Sequence, residues 1–411
     1  MRILRDLGGA GWISLGTILG QALIYLATPF IARLYGPAAL GAATIFLATA
    51  SILVPLLTLR MEFLIPSASE AEARWISRRA LKLVLCGSFI ASVVYSVSIE
   101  SFDVWNSLAF WVTSGSLAAA AVSIQMLVRQ EKFRRIGLGK VANGVGQVGV
   151  QIPVGVFFPA SRGIEFGFAA GYLATWGVQA FGARTQRPRE RIRRARRRAL
   201  MGSAYKLAIA GIMNAICVWS ILISISVFGS VEDAGVFSAV QRLLVTPVGL
   251  VTASLLPVVT GGVAHAVRSS QPYAHVLKKW LLLLTPISLV AGVVLVFIPE
   301  ALLLRILGEE FRGAGSYLAA LVPMIVAQIL AGPLGQLLVA TGHSTAQLFW
   351  DSGRFVLIVV AASVCGSLGV GSVAMTWILS MIFASSYVVF VLLVIVFAKR
   401  GGFPPTSLPD Q

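Results

Sequence analysis

The chain has 411 residues, of which 57% are apolar and 12% charged, and its mean hydropathy is +0.86, whereas an ordinary soluble domain carries about a quarter charged residues. This excludes a soluble globular protein and points to a helical membrane protein, in which each span needs about 20 mostly apolar residues and pairs its own backbone groups. Twelve spans of about 22 residues would use roughly 264 positions, so no separate catalytic domain fits into the remainder.

Apolar runs between charged or Gly/Pro breaks predict spans near 10–35, 38–59, 81–99, 107–128, 140–158, 164–182, 204–228, 235–262, 280–299, 316–340, 349–370 and 373–397. The first run, from Ala10, is of span length and flows into a second, unlike a cleaved signal peptide. Orientation follows from the 33 Lys and Arg, which resist translocation. With a cytoplasmic N-terminus, 28 of them fall on the cytoplasmic side and only Arg33, Arg162, Arg242, Arg305 and Arg312 on the other. Both termini are therefore expected in the cytoplasm, and the formal charge of +17 is mostly an orientation signal.

The longest polar insertion, Arg184 to Arg198, separates two sets of six spans. The expected organisation is an N-terminal lobe over 1–183, a basic cytoplasmic linker over 184–202, a C-terminal lobe over 203–398 and a tail over 399–411, as in a two-lobe transporter. The two lobes begin alike: Leu34-Tyr35-Gly36 and then Gly41 follow span one, and Val227-Phe228-Gly229 and then Gly235 follow span seven. Because it joins membrane lobes, the Arg run is expected to attract the anionic cytoplasmic leaflet rather than nucleic acid. Cys86, Cys217 and Cys365 lie singly in apolar runs, which indicates neither a disulfide framework nor a metal site. His265, His275 and His343 fall in predicted turns.

An ionisable side chain inside a span is expensive and marks a functional position by default, unless it can snorkel to the interface. Arg242 sits about two turns into span eight and reads either as a cavity group or as an interfacial anchor. Arg33 is about one turn from the outer end of span one. Arg60 and Glu62 mark the inner end of span two, and a separation of two residues points them to different sides of a helix. Asp351 and Arg354, spaced i, i+3, can pair as a structural link or as a gate. Lys140, Asn143, Gln147 and Gln151 form a polar stripe in span five, as do Gln328, Gly332 and Gln336 in span ten, and Gln21 and Tyr25 are spaced i, i+4 in span one. Such stripes either join helices by hydrogen bonds or line a polar path. Pro29, Pro55, Pro153, Pro247, Pro257, Pro286, Pro323 and Pro333 permit kinks, and the pairs Gly16/Gly20 and Gly167/Gly171 allow close helix contact.

Three segments carry a family resemblance. Arg33-Leu34-Tyr35-Gly36-Pro37-Ala38-Ala39-Leu40-Gly41 resembles the R-L-L-G-P-x-x-x-G turn of bacterial polysaccharide flippases, the Wzx-like branch of the MATE-like MOP superfamily. Leu59-Arg60-Met61-Glu62-Phe63-Leu64-Ile65-Pro66 resembles that family's L-R-x-E-x-x-I-x-x-P segment, with the proline arriving early. Ala234-Gly235-Val236-Phe237, continuing to Arg242 and Leu243 with Pro247 beyond, is similar to its A-G-x-F-x-x-x-x-R-x stretch.

The resemblance implies an all-α integral membrane protein of twelve transmembrane helices, with two six-helix lobes forming a V around a central cavity that opens alternately to either side. It implies a bacterial plasma membrane location and, as cargo, oligosaccharide units on a polyprenyl pyrophosphate. Arg242, with Arg33 and Arg60, would then attract the pyrophosphate or acidic sugars, since Arg matches phosphate oxygens. Gln21, Tyr25, Asn143, Gln147, Gln151, Gln328 and Gln336 would meet sugar hydroxyls. Glu62 and Asp351, with Arg354, are candidates for ion coupling or gating. The coupling ion would be H⁺ or Na⁺, no cofactor is expected, and glycan polymerase machinery would be a partner. A drug/cation antiporter of the same fold would favour acidic cavity residues, whereas the mid-span ionisables are mainly Arg. A lipid II flippase would share the anionic cargo. A membrane glycan polymerase or ligase would need a sizeable external loop with convergent polar groups. The external acids, Glu100 and Asp103, Glu232 and Asp233, and Glu309 and Glu310, read instead as adjacent surface pairs.

Overall fold

The computed structural model describes residues 9–66, 68–98, 103–158, 162–181, 192–245, 247–249, 252, 255–256, 259, 263, 273–335, 337–341 and 343–399. All the regular structure among the described residues is helical. In chain order the α-helices are α1 (Gly9–Thr58), α2 (Glu70–Ser98), α3 (Val104–Arg129), α4 (Phe133–Phe157), α5 (Gly163–Ala180), α6 (Arg194–Phe228) and α7 (Val231–Val240). There follow α8 (Ala274–Val296), α9 (Glu300–Leu307), α10 (Ala314–Ala331), α11 (Leu337–Ala340), α12 (Ser344–Ser367) and α13 (Ser372–Lys399). Spans one and two form one continuous element broken at Gly36, whose φ of 74° and ψ of 174° are open only to glycine. Pro37 follows directly, so the chain turns there and resumes as helix. Short α9, with Leu303 and Leu307 buried, was not expected from the sequence.

Eight of the described helices are long and apolar enough to cross a membrane by length and composition, and one of them covers 48 residues. α4 and α5 are outside this set. They carry the polar stripe and pack on each other and on α1 and α3, which buries the stripe while Leu138, Val145 and Leu173 stay exposed. The outward faces of other helices are apolar: Phe89, Ile90, Val93 and Val94 on α2 and Leu289, Val290, Val293 and Val294 on α8 are all exposed. A contiguous apolar surface of this kind fits a lipid solvent.

The chain divides into two compact units, Met1–Trp219 and Ser220–Gln411. The division falls inside α6; the expected linker is helix from Arg194, and residues 182–191 lie outside the described set. Arg has high helix propensity, and Arg194–Met201 contains neither Gly nor Pro to stop it. In the first unit Met61, Ile65, Ile76, Val122, Met126 and Leu200 share one core cluster. In the second, Val259, Val263, Leu277, Leu334, Leu338 and Phe390 form another.

Close helix contact in the first unit depends on small residues, as the glycine pairs predict. A Cβ on Gly16 would overlap Gly137, and one on Gly20 would overlap the Lys140 carbonyl. α1 and α4 thus meet backbone to backbone, where dispersion and polar contacts substitute for the hydrophobic effect that lipid does not supply. Ser and Thr inside the apolar helices mostly return their hydroxyls to their own helix, as Thr28 does to the Ile24 carbonyl at 2.8 Å and Ser224 to that of Ser220 at 2.7 Å.

Candidate functional site

In the first unit, the stripe of span five is buried against α5. Asn143, Gln147 and Gln151 are 8%, 3% and 0% exposed. Gln147 Nε2 donates to Asn143 Oδ1 at 2.8 Å, Gln151 Nε2 donates to the Ile164 carbonyl at 3.2 Å, and the Tyr35 hydroxyl donates to the Gln151 carbonyl at 2.6 Å. Opposite them, Gly167 and Gly171 leave the room that the Gln151 and Gln147 side chains fill. Thr175 donates to the carbonyls of Gly139 and Gly171, and Gln179 lies against Gly139. Of the two readings of the stripe, these contacts place it among interhelical hydrogen bonds. Yet Asn143 Nδ2, Gln147 Oε1, Gln151 Oε1 and both polar atoms of the Gln179 amide are buried without a hydrogen-bond partner. A column of amides with spare donors and acceptors can bind water or hydroxyl groups once opened. Gln179 and Thr175 complete it. Thr175 and Gln179 continue the i, i+4 spacing of Gly167 and Gly171, and that continuation is the sequence signal that finds them. Gln21 and Tyr25 are half-buried on α1.

The turn from α1 to α2 holds Arg60 and Glu62. Leu59 and Arg60 both have positive φ, 50° and 51°, which is unusual for side chains other than glycine. A four-residue 3₁₀ turn, Met61–Leu64, follows. The Arg60 amide donates to Thr58 Oγ1 at 3.1 Å, its guanidinium lies 4.9 Å from the Phe63 ring centroid, and its Nε sits where a Cβ on Gly211 of α6 would fall. Glu62 is 2% exposed, and its Oε2 has no hydrogen-bond partner. Burial pushes the Glu62 carboxyl above the ordinary carboxylate range, against the opposing effects of the backbone, Thr58 and the Arg60 charge. As the spacing predicts, Arg60 and Glu62 form no ion pair among those described. Arg129 secures the turn's far end, donating to the Ile65, Pro66 and Ala68 carbonyls and pairing with Glu70 at 3.0 Å. Arg196 pairs with Glu72 at 2.6 Å and Arg197 lies over Trp75, so part of the basic run serves packing within this unit.

In the second unit, Arg242 is half-buried and lies in a π-helical turn, Gln241–Val245, directly after α7. Such turns are rare and concentrate at functional sites. Gln328 on α10 approaches Gly249 of the segment that follows, and Gly332 packs against Thr252, so the stripe of span ten faces span eight. Gln336 lies outside the described residues. Arg354 is 7% exposed and pairs with Asp351 at 3.2 Å, while Gln347 donates to the other Asp351 oxygen at 3.1 Å. The guanidinium also lies 4.4 Å from the Trp350 ring centroid, and the Trp350 indole donates to the Ser386 carbonyl at 2.8 Å. This assembly borders a groove of about 690 Å³ between α12 and α13, otherwise lined mostly by apolar side chains such as Phe349, Leu357 and Met381. Arg33, by contrast, is exposed near the Gly36 turn.

Asp103 and Asp233, read from the sequence as members of surface pairs, are tied into the fold, as is Glu300, whereas Glu309 and Glu310 are exposed. Asp103 caps α3 and pairs with Arg162 at 3.4 Å, Asp233 accepts from the Ser372 hydroxyl at 2.9 Å, and Glu300 accepts from the Gly313 amide at 2.6 Å. Among the described residues no group of three His, Cys, Asp or Glu could hold a metal ion.

No family model matches the sequence, and no curated protein sequence matches it. Solved structures do. An inward-facing multidrug resistance MATE family transporter of the MOP superfamily superposes with a TM-score of 0.65 at 14% identity, over 96% of this chain and 99% of its own. An outward-facing structure of such a transporter gives 0.59 at 13%, over 96% of each chain. A MOP superfamily transporter from Pyrococcus furiosus, described by the reverse polarity of its binding pocket, gives 0.58 at 12%, again over 96% of each. The chain therefore has the all-helical fold of the MATE transporters of the MOP superfamily along nearly its whole length.

Proposed function

We propose that this protein is a flippase that moves a polyprenyl-pyrophosphate-linked oligosaccharide from the cytoplasmic to the outer leaflet of a bacterial plasma membrane by alternating access, with both termini in the cytoplasm. The observation that carries this reading is Arg242, a permanent cation on a π-turn within an otherwise apolar span, a placement suited to a phosphate-bearing cargo. The buried amides of α4 and α5 suit a saccharide, whose hydroxyls both donate and accept. Glu62, a shielded carboxyl in a strained turn, suits coupling to protons. The protein acts as a transporter rather than an enzyme, and the unit it delivers would pass to a glycan polymerase.

A second reading, export of organic cations, draws on the multidrug description of the structural neighbours. The Pyrococcus furiosus protein, with its reverse polarity of binding pocket, illustrates that this fold carries pockets of differing charge. Reconstituted proteoliposomes separate the two readings. The flippase reading expects translocation of a fluorescent lipid-linked oligosaccharide and a fall of about 10- to 100-fold in apparent affinity in Arg242→Ala, from the loss of a charged hydrogen bond. Arg242→Lys should retain part of the activity. Unchanged translocation in Arg242→Ala, with normal insertion, removes Arg242 from the site. Transport of organic cations without any lipid-linked saccharide overturns the reading itself.

A further inference from the structure

A second groove, of about 510 Å³, runs between α8 and α13, with Leu277, Leu281, Leu282 and Pro286 on one wall and Ile395 and Ala398 on the other. One charged side chain, Lys278, lines it, and that residue lies on the first turns of α8, which begins at Ala274. From Ala274 to Pro286 the groove follows twelve helical steps, a length of about 18 Å at 1.5 Å per residue. One leaflet of the hydrocarbon core is about 15 Å deep. The groove is therefore one acyl chain long, and its cation stands at the end where α8 enters the membrane.

The electrostatics favour an anionic head group. α8 carries His275, Lys278 and Lys279 near its start, and neither α8 nor the helices packed on it, α10 and α13, contain Asp or Glu. The positive end of the α8 dipole adds to the same field. The groove walls are otherwise almost wholly apolar, with Thr285 the polar exception.

We propose that this groove is a binding site for an anionic glycerophospholipid, one acyl chain lying along Leu281, Leu282 and Ile395 and the phosphate held by Lys278, with Lys279 adding to the attraction. The site rests on α8 crossing the membrane, and it stands whether the transported cargo is a glycan lipid or an organic cation. Native mass spectrometry of the purified full-length protein in detergent, titrated with phosphatidylglycerol or phosphatidylcholine of identical chains, tests it. Wild type should retain phosphatidylglycerol preferentially. Lys278→Gln, a change at an exposed position, should weaken that retention roughly fivefold, and Thr285→Trp, which fills the groove, should abolish it. Phosphatidylglycerol bearing a photoreactive acyl chain should label residues 274–286. Equal retention of the two lipids, unchanged retention in Lys278→Gln, or labelling confined to other helices would each overturn the proposal. So would loss of the preference in Arg197→Gln/Arg198→Gln with Lys278→Gln unaffected, because the preference would then belong to the basic run.

Discussion

Replacing Gly171 by alanine inserts a methyl group between α4 and α5, where the structure has left no room for one. The new Cβ would stand 2.8 Å from the Asn143 carbonyl oxygen and 2.5 Å from Gln147 Cγ, and ordinary contact begins at 3.4 Å. The carbonyl belongs to a helix backbone and cannot rotate away, so α4 must move by about 0.6 Å. Overpacking of this kind costs about 1–3 kcal/mol. Against it stands the gain from replacing glycine inside a helix, about 0.8–1 kcal/mol. Gly177 lies on the same helix with nothing within 4 Å of its built Cβ, so Gly177→Ala collects the gain alone. The two variants should therefore differ by about 1–3 kcal/mol, with Gly177→Ala at or above wild type and Gly171→Ala below it. Equilibrium unfolding in mixed micelles measures the difference. Equal stabilities would refute the view that α4 and α5 are held at backbone distance by the glycines facing the amide column.

The buried Glu62 carboxyl predicts a pH dependence whose sign is opposite to that of a salt-bridged acid. Its folded pKa lies above the unfolded value, so the folded state binds the extra proton and stability should decline as pH rises from the ordinary carboxylate range through the folded pKa. Glu62→Gln should flatten that slope in melting curves taken across pH; an unchanged slope would show that Glu62 titrates as a solvated group. In the second unit, Asp351→Asn leaves the guanidinium of Arg354 without its carboxylate and should cost about 1–3 kcal/mol. Asp351→Asn combined with Arg354→Met should recover part of that loss, and a double variant less stable than the single would argue that the Trp350 contact outweighs the pair.

The span pattern was legible because it follows from one strong constraint, the exclusion of unpaired backbone from hydrocarbon. The break at Gly36 could be read from Gly36-Pro37, and the glycine pairs of spans one and six from their spacing. α9 was hidden because eight residues between two spans give too short a window for periodicity to register. The helical start of α6 was hidden for another reason. Its arginines read as a solvated charge run, and only the fold brings Glu72 and Trp75 beneath Arg196 and Arg197.

The candidate site was legible in residue type but not in pairing. Asn143, Gln147 and Gln151 announce a polar face at helical spacing, and the face exists. What spacing cannot supply is the opposite wall, where Gly167, Gly171, Thr175 and Gln179 decide which amide atoms are satisfied and which are left over. Arg242 shows the complementary limit. Its distance from the end of span eight, counted at 3.6 residues per turn, presumes a regular helix, but the π-turn at Gln241–Val245 adds residues to the turn and rotates everything beyond it. A guanidinium re-aimed in this way costs backbone regularity within a span. That cost, taken within a span, makes Arg242 the position where a change of transport without a change of stability is most to be expected.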